Sequence, residues 1–225
     1  MTFPVVVFDL ETNGLFNFKL PADDPSQPRV ASIAAALLAD ADAEPVIMDR
    51  LIKPDGWTMP AELVEKLGNG LHQERLEAEG IPIADALDEF LALLDRAEVL
   101  ASYGILFDTK GLRSELRRAG RPDLFGTKAE FCVMREATKQ CKLAPTAAMA
   151  ASGRNWSKTA KLSEACEILL GRPHEGAHSA LADTMTTVDL YRMFAAKGCV
   201  VPKVRESFVK QAAPAAGSAE ERNPQ

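Results

Sequence analysis

The chain lacks the features that mark secreted, membrane-spanning and histone-like proteins. Its four cysteines (Cys132, Cys141, Cys166, Cys199) form no C-x-x-C pair and no zinc-like spacing. That pattern points away from a structural zinc site and toward reduced core or surface thiols. No apolar run approaches the roughly 20 residues that cross a bilayer. No basic leader precedes the first apolar stretch, so no signal peptide is expected. Together these absences predict a cytoplasmic protein with no membrane partner. A net charge of −6 argues against a histone-like or transcription-factor-like DNA binder. It leaves room for an enzyme that grips nucleic acid through metals and a local basic patch. No internal repeat is present.

What is there suits a folded domain. With 225 residues, 47% hydrophobic and 26% charged, the chain is long enough for one sizeable core. Residues 1–202 are expected to form that domain. Residues 203–225 are expected to be a disordered tail, because after Lys203 the pattern dissolves into Ala212-Ala213-Pro214-Ala215-Ala216-Gly217 and its neighbours.

The most informative stretch is Val5-Val6-Val7-Phe8-Asp9-Leu10-Glu11-Thr12. Consecutive apolar residues suit a strand buried on both faces. Asp9 and Glu11 follow at i and i+2, and strand side chains alternate, so both point to one side. Paired carboxylates repel unless a hard divalent cation sits between them. This spacing reads as half of a metal site at the C-terminal end of a sheet strand.

Further along, prolines at 25 and 28 mark a long loop up to Arg29. Arg29–Leu38 and Pro45–Ile52 read as strands that complete an antiparallel meander. Pro60–Leu67 reads as a short helix, and Pro82–Ala97 as an amphipathic one with Ile83, Leu87, Phe90 and Leu94 on one face. Val99–Tyr103 is a fourth strand, Phe107–Ala119 a helix closed by Gly120, and Phe131–Met134 a fifth strand leading into another helix. Lys161–Leu170 and Ser179–Ala196 are the last helices. His178 belongs in the loop before the final helix, with Ser179 as its N-cap and Asp183 in its early turns. The expected fold is α/β: a mixed five-stranded sheet flanked by helices.

Three motifs carry a family likeness. Phe8-Asp9-Leu10-Glu11-Thr12-Asn13-Gly14-Leu15, then Phe107-Asp108 followed by Leu112 and Glu115, then His178-Ser179-Ala180-Leu181-Ala182-Asp183 occur in that order. In this the chain resembles the DEDDh 3′–5′ exonucleases. That ribonuclease-H-like group includes the proofreading subunit of bacterial DNA polymerase III. The resemblance implies that Asp9, Glu11, Asp108 and Asp183 hold two Mg²⁺ or Mn²⁺ ions and that His178 is the general base. It implies hydrolysis that releases 5′-mononucleotides from 3′ ends, and relatives in the family act on both polymers; single-stranded DNA, favoured over RNA, in proofreading or repair is the expected substrate. An exoribonuclease with the same chemistry and a non-catalytic polymerase- or nucleic-acid-binding module are the alternatives. It also implies that Leu15 wedges against the terminal base and that Thr12 contacts the terminal nucleotide. The two bland readings are a core leucine and a turn-capping threonine. One departure stands out: Gly104 occupies the place where the family usually has asparagine, four residues before Asp108.

The segment 137–163 contains Lys139, Lys142, Arg154, Lys158 and Lys161 and no acidic residue. It is a candidate phosphate-binding surface, with Trp156 and Lys158 as substrate contacts. The competing reading is a solvated basic loop with Trp156 tucked onto the core. Arg113, Arg117, Arg118 and Arg121 read as a solvated helix face, and His72 as a surface or capping residue. His174 lies four residues before His178 but lacks the family spacing to Asp183. The tail after Lys203 is a candidate tether for a polymerase or other protein.

Overall fold

The computed structural model describes residues 3–123 and 125–204. The expected tail beyond Val204 lies outside the described residues. The elements run β1 (Val5–Thr12), β2 (Val30–Leu38), β3 (Val46–Leu51), α1 (Ala61–Leu67), α2 (Gln73–Glu79), α3 (Ile83–Asp95), β4 (Val99–Ser102), α4 (Ile105–Arg118), β5 (Ala129–Cys132), α5 (Val133–Cys141), α6 (Ala147–Ala151), α7 (Leu162–Ala165), α8 (Ala180–Ala196) and β6 (Lys203–Val204). The strands form one mixed sheet in the order β3-β2-β1-β4-β5-β6. β1 pairs antiparallel with β2 and parallel with β4.

The fold matches the expected α/β architecture, with a sixth strand added at the edge. Lys203 and Val204, the first residues assigned to the tail, pair antiparallel with Ala129 and Glu130. α2 and α6 were not anticipated: they are only seven and five residues long, too short for periodicity to stand out. His72 is the N-cap residue of α2, though its side chain makes no capping bond.

β1 is buried on both faces because helices cover both sides of the sheet. Val6, Phe8 and Leu10 pack with α3 and α4, and Phe8 meets Phe90 edge-on at 5.4 Å. Val5 and Val7 pack on the other side with Val188, Tyr191 and Phe194 of α8. The same alternation sends Asp9 and Glu11 to the α8 side. Gly111 lets α4 approach β1 closely: a Cβ there would lie 2.7 Å from Leu10 Cδ1 and 3.3 Å from the Phe16 ring.

Pairing between β1 and β4 stops at Val7↔Ala101, so the two strands splay beyond that point. From β1 the chain builds outward through β2 and β3, then crosses back to place β4 on β1's other side. The β1/β4 fork is therefore the topological switch point where open α/β sheets leave a crevice. No described helix is long and apolar enough to cross a membrane.

Candidate active site

Asp9 and Glu11 sit beyond the last β1–β4 pair, at the mouth of the fork. A register irregularity between Glu11 and Thr12 breaks the β1–β2 ladder just after them. Asp108 enters from the first turn of α4. That helix begins at Ile105, two residues earlier than the sequence suggests, with Gly104 as its N-cap. Ser102 Oγ donates to Asp108 Oδ2 at 2.5 Å, and the backbone at Gly104 and Leu10 also hydrogen-bonds this carboxylate. The asparagine expected at 104 would have added a side chain here; a Cβ on Gly104 would stand 3.8 Å from Asp108 Oδ2.

Asp183 comes from the first turn of α8, capped by Ser179 at its backbone: Asp183 N–H donates to Ser179 O at 2.9 Å. The Ser179 side chain makes no capping bond, so that part of the expected N-cap is absent. His178 lies in the preceding loop, exposed, with a left-handed φ of 66°. Ligating atoms of Glu11, His178 and Asp183 all lie within 4.8 Å of one another.

Burial and like charge dominate the electrostatics of this cluster. Burial, then the charges of Asp108, Asp183 and Glu11, push Asp9 well above the ordinary carboxylate range. Burial, with Asp183 and Asp108 beside it, pushes Glu11 up to about 8. Burial lifts Asp108 to about 7 against the hydrogen bonds from Ser102 and Gly104. Burial raises Asp183 as well, opposed by its hydrogen bond to His174. Four carboxylates with raised pKa values, beside the His178 imidazole, are a donor set that a divalent cation neutralises, so the residues present fit Mg²⁺ or Mn²⁺.

Sequence reasoning gives two residues near these groups no place in the site. Asn69, in the loop between α1 and α2, lines the same cavity as Glu11 and works against the rise of its carboxyl pKa. His174 Nε2 lies 2.6 Å from Asp183 Oδ1. Neither has a fixed spacing to its partner, so neither could be found without the fold. Glu11 and His178 open onto a cavity of about 430 Å³, also walled by Asp49, Arg50, Asn69 and Arg75.

The expected substrate contacts are distributed unevenly. Leu15 is 88% exposed just past the end of β1, which excludes the core reading for it. Thr12 is buried and donates its hydroxyl to Gly14 O at 2.7 Å, so it does cap the turn. Trp156 is 62% exposed rather than tucked onto the core. Lys158 is paired with Glu164, and neither Trp156 nor Lys158 lines the cavity beside Glu11. Lys139 pairs with Glu136, so the basic segment is partly neutralised by acids just outside its ends. The arginines on and just after α4 divide: Arg113 and Arg118 are drawn in against the protein, whereas Arg117 and Arg121 pair with acids at the surface. Arg113 pairs with Asp123 at 2.6 Å, Arg118 with Glu115 at 3.1 Å, and Arg121 just after the helix with Asp88 at 2.7 Å.

Three solved structures place the fold among known ones. Escherichia coli exonuclease I in complex with a dT13 oligonucleotide superposes with a TM-score of 0.66 at 16% identity, over 93% of this chain and 43% of that one. The zinc-bound form of the Escherichia coli exonuclease I–ssDNA complex gives 0.65 at 18%, over 88% and 41%. Exonuclease I from Methylocaldum szegediense gives 0.65 at 18%, over 87% and 41%. This chain thus spans about two-fifths of the length of these relatives, and at such identities the likeness is one of fold. No curated protein matches the chain. The RNase_T family model, described as exonuclease, matches residues 6–191, from β1 through most of α8, and covers all three motifs. By that match the chain belongs to the RNase_T family of exonucleases.

Proposed function

We propose that the protein is a metal-dependent 3′–5′ exonuclease that releases 5′-mononucleotides from single-stranded DNA ends. One observation carries this reading: β1, α4 and α8, distant in sequence, bring four mutually destabilising carboxylates and an exposed histidine to one fork. The dT13 bound to exonuclease I, a protein of the same fold, supports a single-stranded DNA substrate.

Asp9, Glu11, Asp108 and Asp183 would hold the two ions. When bound, a pair of Mg²⁺ or Mn²⁺ ions supplies Lewis acidity to both the attacking and the leaving oxygen of an in-line displacement at phosphorus. His178 faces the solvent beside Glu11 and Asp183, where an imidazole nitrogen can take the proton of the attacking water. The phosphorus–O3′ bond then breaks. The shortened strand keeps the 3′ hydroxyl, and the released nucleotide carries the 5′ phosphate. Leu15, projecting from the end of β1, wedges against the terminal base. Thr12 holds the terminal nucleotide in place through the turn it caps. Trp156 offers a stacking face farther along the strand, with Lys158 beside it. The four cysteines are unpaired, which supports a cytoplasmic site of action.

A time course on end-labelled single-stranded DNA and RNA, with Mg²⁺, Mn²⁺ and chelator compared, tests the proposal. Metal-dependent release of mononucleotides from DNA faster than from RNA is expected. Asp9→Ala and Asp183→Ala should each abolish it while the protein stays folded. Full activity in both variants would overturn the mechanism, and faster RNA cleavage would reassign the substrate.

A further inference from the structure

Asp183 has a partner that the carboxylate cluster does not account for. His174 lies in the loop between Leu170 and α8, with its side chain only 2% exposed. Its Nε2 is 2.6 Å from Asp183 Oδ1 and its Nδ1 is 3.0 Å from Thr186 Oγ1. Asp183 and Thr186 stand three residues apart on α8, so one ring spans neighbouring turns of a single helix face.

The donor inventory narrows the arrangement. An ionised carboxylate only accepts, so Nε2 carries the hydrogen. A hydroxyl can donate or accept, so Thr186 Oγ1 satisfies Nδ1 whether or not that nitrogen carries a proton. Both ring nitrogens are then occupied and buried. His174 therefore has no lone pair to offer a cation and no access to water, although it is nearer in space to Asp183 than its sequence position suggests. The backbone at His178 also hydrogen-bonds Asp183. The two histidines of this loop thus converge on one carboxylate, the first by its ring and the second by its main chain.

We infer that His174 is a positioning residue for the metal site: it commits Oδ1 of Asp183 to the ring and leaves Oδ2 as the coordinating oxygen. This rests on the proposed reading of Asp183 as a metal ligand. Groups that hydrogen-bond a ligating carboxylate set its orientation, and their loss costs roughly 10–100-fold in metal affinity. Without the ring, Asp183 would be free to rotate its oxygens among several orientations, and only a fraction of them would suit the ion.

The test is Mn²⁺ binding to the full chain, without substrate, by electron paramagnetic resonance titration, with melting temperature recorded in parallel. His174→Leu removes the donor, and His174→Gln restores an N–H close to the Nε2 position. Thr186→Val removes the hydroxyl that holds the ring. The expected order of affinity is wild type, then Gln, then Leu, with Leu 10–100-fold weaker and Thr186→Val in between. Saturating Mn²⁺ should return much of the turnover of His174→Leu, because the ligand itself is intact. A folded His174→Leu protein with wild-type Mn²⁺ affinity would overturn the inference, as would a Gln variant no better than Leu. If His174→Leu does not fold, Thr186→Val decides, and unchanged affinity there is equally fatal. If the wild type itself binds no Mn²⁺, the metal-dependent reading falls first. If the wild type binds and cleaves while every variant matches it, only the role of His174 falls.

Discussion

From Asn13 to Arg29 the chain is gripped by its neighbours through its own carbonyls. Lys110 Nζ donates to the carbonyls of Asn17 and Leu20, and Arg118 donates to those of Asp24, Gln27 and Pro28. Gln27, buried within the loop, adds bonds to Asn17 O and Pro21 O. From Gly171 to Ser179 the logic is reversed. That loop reaches outward with side chains: Arg172 to Asp189, and His174 to Asp183 and Thr186. A carbonyl is present whatever the residue, so the grip of Lys110 and Arg118 on the first loop does not depend on which residues it holds, while the side chains of Asn13, Asn17, Asp24, Gln27 and Arg29 add bonds of their own. The second draws its shape from the identity of its own side chains. The first is built as a fixed wall beside β1. The second carries the group proposed to move a proton.

The largest effect that sharpens this contrast is kinetic. His178 holds a left-handed φ of 66°, a region that glycine occupies without a steric cost. His178→Gly should therefore fold with an unchanged or higher melting temperature and lose about 100- to 10,000-fold in turnover. A matching fall in melting temperature would show that the ring, not only the backbone, shapes the second loop.

Breaking the first loop should do the opposite. Glu115 is buried and accepts from Arg29 Nε at 2.8 Å, from Arg118 Nη1 at 3.1 Å and from the Val30 amide at 3.2 Å. Val30 is the β2 residue paired with Thr12, so this carboxylate joins α4 to the end of β1's ladder. Glu115→Ala removes the carboxylate shared by two partly buried cations and an amide, although Arg118 keeps its carbonyl acceptors, and should cost about 3–5 kcal/mol in denaturant unfolding. Turnover below the melting point should fall much less than in His178→Gly. If activity collapses in step with stability, the wall and the catalytic loop are not separable.

A third measurement uses pH on the metal-free protein. Glu11 moves from 4.5 to about 8 and Asp108 from 3.8 to about 7, mainly by burial. Between the ordinary and the raised values, the folded chain keeps protons that the unfolded chain has released. Stability from these groups is whole below about pH 4 and is lost as pH rises toward about 8, at roughly 1.4 kcal/mol per unit for each group in its window. The melting temperature without metal should fall from pH 5 to pH 8, and Mn²⁺ should flatten that slope by holding the carboxylates ionised. A slope of the same size with and without Mn²⁺ would place the ion elsewhere.

Much of this was legible before the fold was known. The run Val5–Phe8 announced a strand buried on both faces, and alternation placed Asp9 and Glu11 together on one side. Asp183 in the first turn of α8, with His178 in the loop before it, followed from cap and loop chemistry. What stayed hidden depends on partners far off in sequence. Arg113 and Arg118 look like surface charges until the loop before β2 and Asp123 fold against them. His174 looks like a loop histidine until α8 presents Asp183 and Thr186 at the right turn. α4 starts at Ile105, and its Asp108 accepts a hydrogen bond from Ser102 of β4, a tertiary contact that no local propensity records.

The smallest predicted effect falls at the tip of the first region. Leu15 is 88% exposed, and the chain around it is anchored by Asn13, whose side chain accepts from the Arg29 amide at 2.7 Å and donates to Thr58 O at 3.1 Å. An exposed leucine on an anchored turn contributes little to folding, so Leu15→Ser should change stability by no more than about 0.5 kcal/mol. If the side chain wedges against the terminal base, its loss removes apolar contact made in the ground state as in the transition state. KM for single-stranded DNA should then rise several-fold while kcat stays near wild type. An unchanged KM would leave the wall without a role in holding substrate. A fall in kcat alone would mean that this leucine orients the scissile phosphate, and the division between a passive wall and an active loop would have to be redrawn at residue 15.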